Sequence, residues 1–209
     1  MTQLRQLLPL IKQLVCLLPF CLAVLLPTAS LARVGESMAE IERRLTSSGG
    51  IIYRDQAMID ARMRGMPYLR ILDYLPSRPQ VRLYFKTDDG RRPMASELSA
   101  RDMPKGWDLH VVYLNGVSVL EAYKRSQALT EQEINQLLAL QQGDSYWERV
   151  RTAENTALGY RMLRKDEVLR ANQVGNDTLI IFDAKMDRHV AEAIEEARIE
   201  SAPISVQGF

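Results

Sequence analysis

Cysteine is almost absent from this sequence. The two it has, Cys16 and Cys21, both fall within the first 32 of 209 residues. That segment reads "MTQLRQLLPLIKQLVCLLPFCLAVLLPTASLA" and has the layout of a secretory signal peptide. Arg5 and Lys12 are basic, no acid precedes Glu36, an apolar run follows from Leu14 to Leu26, and Ser30-Leu31-Ala32 places small residues where a signal peptidase reads. The run contains Pro19 and is shorter than the roughly 20 residues a spanning helix needs. Neither cysteine stands after small residues at the end of the run, so the context is not that of a lipoprotein. Cleavage after Ala32 removes both cysteines. Disulfides, a thiolate nucleophile, iron–sulfur ligation and cysteine zinc sites are then excluded.

Histidine is equally scarce, with His110 and His189 the only two. They are far apart and do not form an H-E-x-x-H pair, which removes the usual zinc arrangement. No G-x-S-x-G elbow is present, and Ser48-Gly49-Gly50 is not followed by the Lys-Ser/Thr of a phosphate loop. Asp88-Asp89-Gly90 reads as a turn, since the further oxygens and distal Glu of a calcium loop are missing. Asn176-Asp177-Thr178 has the form of a glycosylation sequon but reads better as a turn. No catalytic, cofactor-binding or metal residue is therefore assigned, and no cofactor is expected.

Charge excess is missing too. The formal net charge of the whole chain is +1, and removal of the leader takes it to about −1. A near-neutral chain has no general attraction for nucleic acid or anionic membrane. Arg82, Tyr84 and Lys86 could form a basic aromatic strand face, but on such a chain they read as a solvated sheet face. Pairs such as Glu131 with Glu133 or Glu195-Glu196 read as helix-surface acids.

The remaining pattern describes an α+β fold. Ser37 and Glu40 form a capping box, after which Met38, Ile41 and Leu45 recur at helical spacing up to Gly49-Gly50. A second helix is expected from Asp55 to Arg64. Residues 68–75, "YLRILDYL", fit either a short helix or an extended linker. "QVRLYFKT" alternates as a strand, with Val81, Leu83 and Phe85 facing one way. Residues 88–106 form a long polar loop, the natural place for variable contacts. In "DLHVVYLNGVSVLEAYKR", Asn115-Gly116 signals a type I′ hairpin with both faces apolar. Its simplest register sets Leu114 opposite Val117, Val112 opposite Val119 and His110 opposite Glu121, so a His–Glu pair is expected. Thr130 and Glu133 form a second capping box, opening a helix through Ile134, Leu137, Leu138 and Gln141. Trp147 and Val150 follow as anchors, and Leu158–Leu163 as a strand. "VLRANQV" and "TLIIFDA" then make a second hairpin around Gly175-Asn176-Asp177. Asp187 is placed as the cap of a last helix, with His189 in its first turn; Val190, Ala193, Ile194 and Ala197 form its stripe, and Pro203 stops it.

These elements predict an antiparallel sheet of about five to six strands built around two hairpins, with helices packed to one side. They form a single domain over 33–209, or two lobes, 33–126 and 127–209. A helix followed by a hairpin occurs twice, around 37–124 and 130–185, as a loose echo without positional residue identity.

The "GESMAEIERRL" opening, a second short helix and the "DLHVVYLNGVSVLEAYKR" meander resemble the small envelope modules of the SmpA/OmlA type. The resemblance covers roughly residues 35–124. It implies a helix–helix–sheet domain that binds or scaffolds within outer-membrane assembly machinery. The chain departs from that family in lacking the lipidation cysteine and in ending its first helix with Leu45-Thr46-Ser47-Ser48-Gly49-Gly50. The expected function is an exported, non-catalytic binding or scaffolding protein of the bacterial envelope whose partner is a protein or envelope component, without nucleic acid and without a membrane span once the leader is gone. The alternative is an exported hydrolase or isomerase using carboxylates and His110. The leader reading has a direct check: intact-mass and N-terminal analysis of the exported protein should find Arg33 as the first residue. An intact Met1 in the cytoplasmic fraction would overturn it.

Overall fold

The computed structural model describes residues 34–54, 61–98 and 103–201. The leader with both cysteines, most of the helix expected at 55–64, and Pro203 with the tail lie outside the described residues. Both capping boxes form. Ser37 opens α1 (Met38–Ser47) and exchanges bonds with Glu40. Thr130 does the same with Glu133 at the start of α2 (Glu131–Leu140). Each satisfies amides that a helix start would otherwise leave orphaned.

Among the described residues, eight strands form one antiparallel sheet in the order β1-β2-β3-β4-β8-β7-β6-β5. They are β1 (Ile51–Arg54), β2 (Gln80–Thr87), β3 (Gly106–Leu114), β4 (Val117–Arg125), β5 (Trp147–Arg149), β6 (Met162–Arg164), β7 (Leu169–Val174) and β8 (Thr178–Asp183). The count exceeds the expected five to six because of β1 and β5, which have only four and three residues. Such stubs are too short to show a two-residue period. The expected strand at 158–163 is shifted to β6, and residues 158–160 are irregular.

The order contains two four-stranded meanders joined where β4 pairs with β8. Each meander follows a helix: α1 precedes β1–β4 and α2 precedes β5–β8. The echo in sequence is thus an architectural duplication, and one sheet runs through both halves.

Helices cover both faces, which corrects the one-sided packing expected. On the first face, Val81, Leu83, Val112, Leu120, Ala122, Ile180 and Phe182 share a core with Tyr68 and Ile71 of a 3₁₀ helix (Pro67–Tyr74) and with Met186 and Val190 of α3 (Ala184–Glu200). On the second, Tyr84, Leu109, Val111, Tyr113, Tyr123, Leu179 and Ile181 meet Ile41 and Leu45 of α1 and Leu138 of α2. The ambiguous 68–75 stretch is therefore helical, of the 3₁₀ kind. Strand β8 lies at the centre of this arrangement: Leu179, Ile180, Ile181 and Phe182 are all fully buried. Each contributes roughly 1.5–3 kcal/mol by burial.

The central hairpin turns at Asn115 (φ 52°) and Gly116 (φ 80°), both left-handed as a type I′ turn requires. Its register departs from the simple one. Leu114 faces Val117 and Tyr113 faces Ser118, but Val112 faces Leu120, because Val119 is an extra residue in β4. A bulge of this kind flips every later side chain to the other face. His110 consequently lies opposite Ala122, and Glu121 lies opposite Val111. The expected His110–Glu121 pair does not form.

Helix α3 also starts earlier than expected. Strand β8 runs directly into it, and Asp183 is the cap, its Oδ1 accepting the Met186 amide at 2.6 Å. Asp187 is instead fully buried one turn in. Its Oδ1 accepts the amides of Ala157 and Leu158 at 3.0 Å each, and its Oδ2 accepts Arg170 Nη1 at 2.6 Å. Arg170 also donates to the Asn155 carbonyl and lies over the Tyr160 ring. One carboxylate thus ties the segment before β6 to β7 and α3. Asp187→Ala leaves Arg170 as a buried unpaired cation and should lower unfolding stability by about 3–5 kcal/mol, read from the urea midpoint.

Candidate functional site

The residues singled out in the sequence are dispersed by the fold. His110 is fully buried on the first face, its Nδ1 2.7 Å from the Tyr68 hydroxyl, which burial raises far above the usual phenol range. Glu121 is fully buried on the second face. His189 is exposed in the second turn of α3, a turn later than expected. Glu133 closes the α2 capping box and pairs with Arg125. Glu195 pairs with Arg198 at 2.6 Å. Among the described residues, no group of three His, Cys, Asp or Glu side chains could hold a metal ion.

The face of Arg82, Tyr84 and Lys86 is not solvated as expected. Helix α1 lies over it, with Glu42 paired to Arg82 and Tyr84 only 1% exposed. The long loop after β2 begins with the expected turn at Asp88-Asp89, then folds into a 3₁₀ turn (Ala95–Leu98). Glu97 clamps that turn, bonding Arg91 through both oxygens and accepting the Met94 amide. The Arg91 guanidinium first, and the amide second, hold its carboxyl down to about 2.

The polar centre of the second face is Gln141, the C-cap of α2, which is fully buried. Its Nε2 donates to Glu121 Oε2 at 2.9 Å, its Oε1 accepts the Val34 amide at 3.0 Å, and its carbonyl accepts Arg164 Nη1 at 2.8 Å. One side chain and its backbone therefore join α2 to β4, to β6 and to the segment leading into α1. The Tyr123 hydroxyl donates to the same Glu121 oxygen. Nearby, the hydroxyls of Tyr84 and Tyr113 are 2.9 Å apart, and burial raises the Tyr113 phenol well above its ordinary value.

This network leaves the apolar bodies of Tyr84 and Tyr123 facing a cleft of about 440 Å³ between α1 and α2. Leu45 forms one wall, Leu137 and Leu140 the other, and Leu109 and Trp107 continue the floor. Arg44, Lys86 and Asp88 stand at its polar margin. Arg44 is anchored to Glu36 at 2.5 Å, and Arg125 lies over Trp107 while reaching Asp88. The volume is within the usual range for small-molecule sites, as is the mix of apolar lining and few polar groups. Neither His110 nor Glu121 lines it. No protein family, curated protein or solved structure matches the chain.

Sequence reasoning missed Gln141 as a hub because it falls on the apolar stripe of α2, where it extends the Leu137/Leu138 pattern. The usable signal was that very anomaly: one amide on an apolar stripe, and one glutamate inside the apolar β4. Replacing Gln141 with Ala leaves Glu121 and the Val34 amide short of a buried partner each. It should lower stability by roughly 2–4 kcal/mol, taking a typical penalty for each unsatisfied group, and loosen α1 and α2 together, as hydrogen exchange in both helices would show.

Proposed function

We propose that the chain is an exported, non-catalytic binding or scaffolding protein of the bacterial envelope, and that it grips an apolar group of its partner in the α1–α2 cleft. The observation that carries this reading is the cleft itself, an opening walled by leucines and floored by tyrosines whose hydroxyls are already engaged elsewhere. Groups of that kind offer burial and shape, not acid–base chemistry. The bulge at Val119 separates His110 from Glu121 by the thickness of the sheet, which takes from the hydrolase or isomerase alternative the pairing it was built on. The resemblance of residues 35–124 to SmpA/OmlA-type envelope modules favours the same binding reading.

The test uses a photo-reactive residue, p-benzoylphenylalanine, in place of the half-buried Leu140 in the chain expressed with its own leader in its native cells. A recurring covalent adduct with one envelope species is expected. Filling the cleft with Leu137→Trp should abolish that adduct while costing about 1–3 kcal/mol of stability through overpacking. An adduct that survives Leu137→Trp, or none in either chain, would overturn the reading.

A further inference from the structure

A second hollow, of about 290 Å³, lies on the other side of α2, against the β5–β6–β7 end of the sheet. Two arginines line it. Arg149 closes β5, where it pairs with Met162, and Arg161 is bonded through its carbonyl to the next residue, Val150. Arg161 immediately precedes β6, so the two arginines stand on consecutive rungs where β5 and β6 meet. Both are exposed, and among the described residues neither guanidinium has an ion-pair or hydrogen-bond partner. This differs from Arg82, Arg125, Arg164 and Arg170 of the same sheet, each of which pairs with a carboxylate.

The surroundings do not balance the two charges. Among the described residues Glu131 is the one acid lining the hollow, and it belongs to the first turn of α2, where the amide end of the helix already favours it. Asn135 and Gln173 add side-chain amides, and Ile134 and Met162 supply apolar surface beside them. Two like charges sharing one concavity repel each other, and an anion between them relieves that repulsion while accepting their N–H groups. Guanidinium pairs suit planar or tetrahedral oxyanions in particular, because each presents donors in a fixed fork.

We propose that this hollow is a binding site for a compact oxyanion, a phosphate monoester or a carboxylate, carried on a small apolar group that rests on Ile134 and Met162. It is separate from the α1–α2 cleft and does not depend on the reading of that cleft.

The site can be probed by calorimetric titration of the full chain, recovered after expression with its own leader, using phenyl phosphate, benzoate and benzyl alcohol. Phenyl phosphate should bind at a single site, benzoate at the same site more weakly, and benzyl alcohol not at all. Arg149→Gln and Arg161→Gln should each weaken phenyl phosphate roughly tenfold, the scale of one charge-assisted hydrogen bond. Since both side chains are exposed, neither variant should shift the thermal midpoint appreciably. The double lysine variant, Arg149→Lys with Arg161→Lys, keeps the charge and should recover part of the affinity. Added salt should weaken binding, as expected for accessible charges, and Leu137→Trp should leave it unchanged. Failure of either oxyanion to bind, equal binding of benzyl alcohol, or undiminished binding in the double Gln variant would each overturn the proposal.

Discussion

The hydrogen bond from Gln141 to Glu121 holds the second face together. A buried carboxylate in a central strand is tolerable only when its oxygens are met by donors, and Gln141 and Tyr123 provide them at Oε2. Because Gln141 caps α2, the same bond fixes where that helix ends above the sheet. Because its Oε1 holds the Val34 amide, it also fixes where the chain enters the first helix. Both walls of the α1–α2 cleft are therefore positioned by one fully buried amide. Packing of Leu45, Leu137 and Leu138 then sets the spacing of the two walls.

The duplicated architecture explains why this hub lies where it does. Each half is a helix followed by a meander, and the two meanders meet at β4 and β8. The helices α1 and α2 fall on one face, while the connections before β2 and before β6 supply Tyr68, Ile71, Leu158 and Tyr160 to the other. Polar anchors stand on both faces: Glu121 and Gln141 on one, Asp187 and Arg170 on the other. Each anchor is a charged group held by amides or by a guanidinium, and each ties together elements distant in sequence.

Local chemistry was legible in the sequence, and long-range pairing was not. The caps at Ser37 and Thr130, the turn at Asn115-Gly116 and the three-residue loop at Gly175 depend on a few adjacent residues, and all four are where the pattern set them. The α+β class followed from them. The register beyond Val112 did not, because both faces of the hairpin are apolar, so a one-residue bulge leaves no mismatch for the pattern to reveal. Asp187 looked like a cap because aspartate commonly is one; its burial depends on amides thirty and twenty-nine residues away. The cleft was invisible for the same reason, since its walls and floor come from α1, three strands and α2. Arg149 and Arg161 attracted no notice as single basic residues and gain interest only once β5 and β6 set them together.

The two outer strands of the sheet have one more consequence. β1 has four residues with a register break between Ile52 and Arg54, and β5 has three. An eight-stranded sheet with long, straight borders would present rows of unpaired amides and carbonyls to any neighbouring chain. Here each border is a stub, one of them irregular, and the apolar run of β8 lies in the interior, with four strands on one side of it and three on the other. This continuous apolar stretch is thus shielded from edge-on growth by two short border strands.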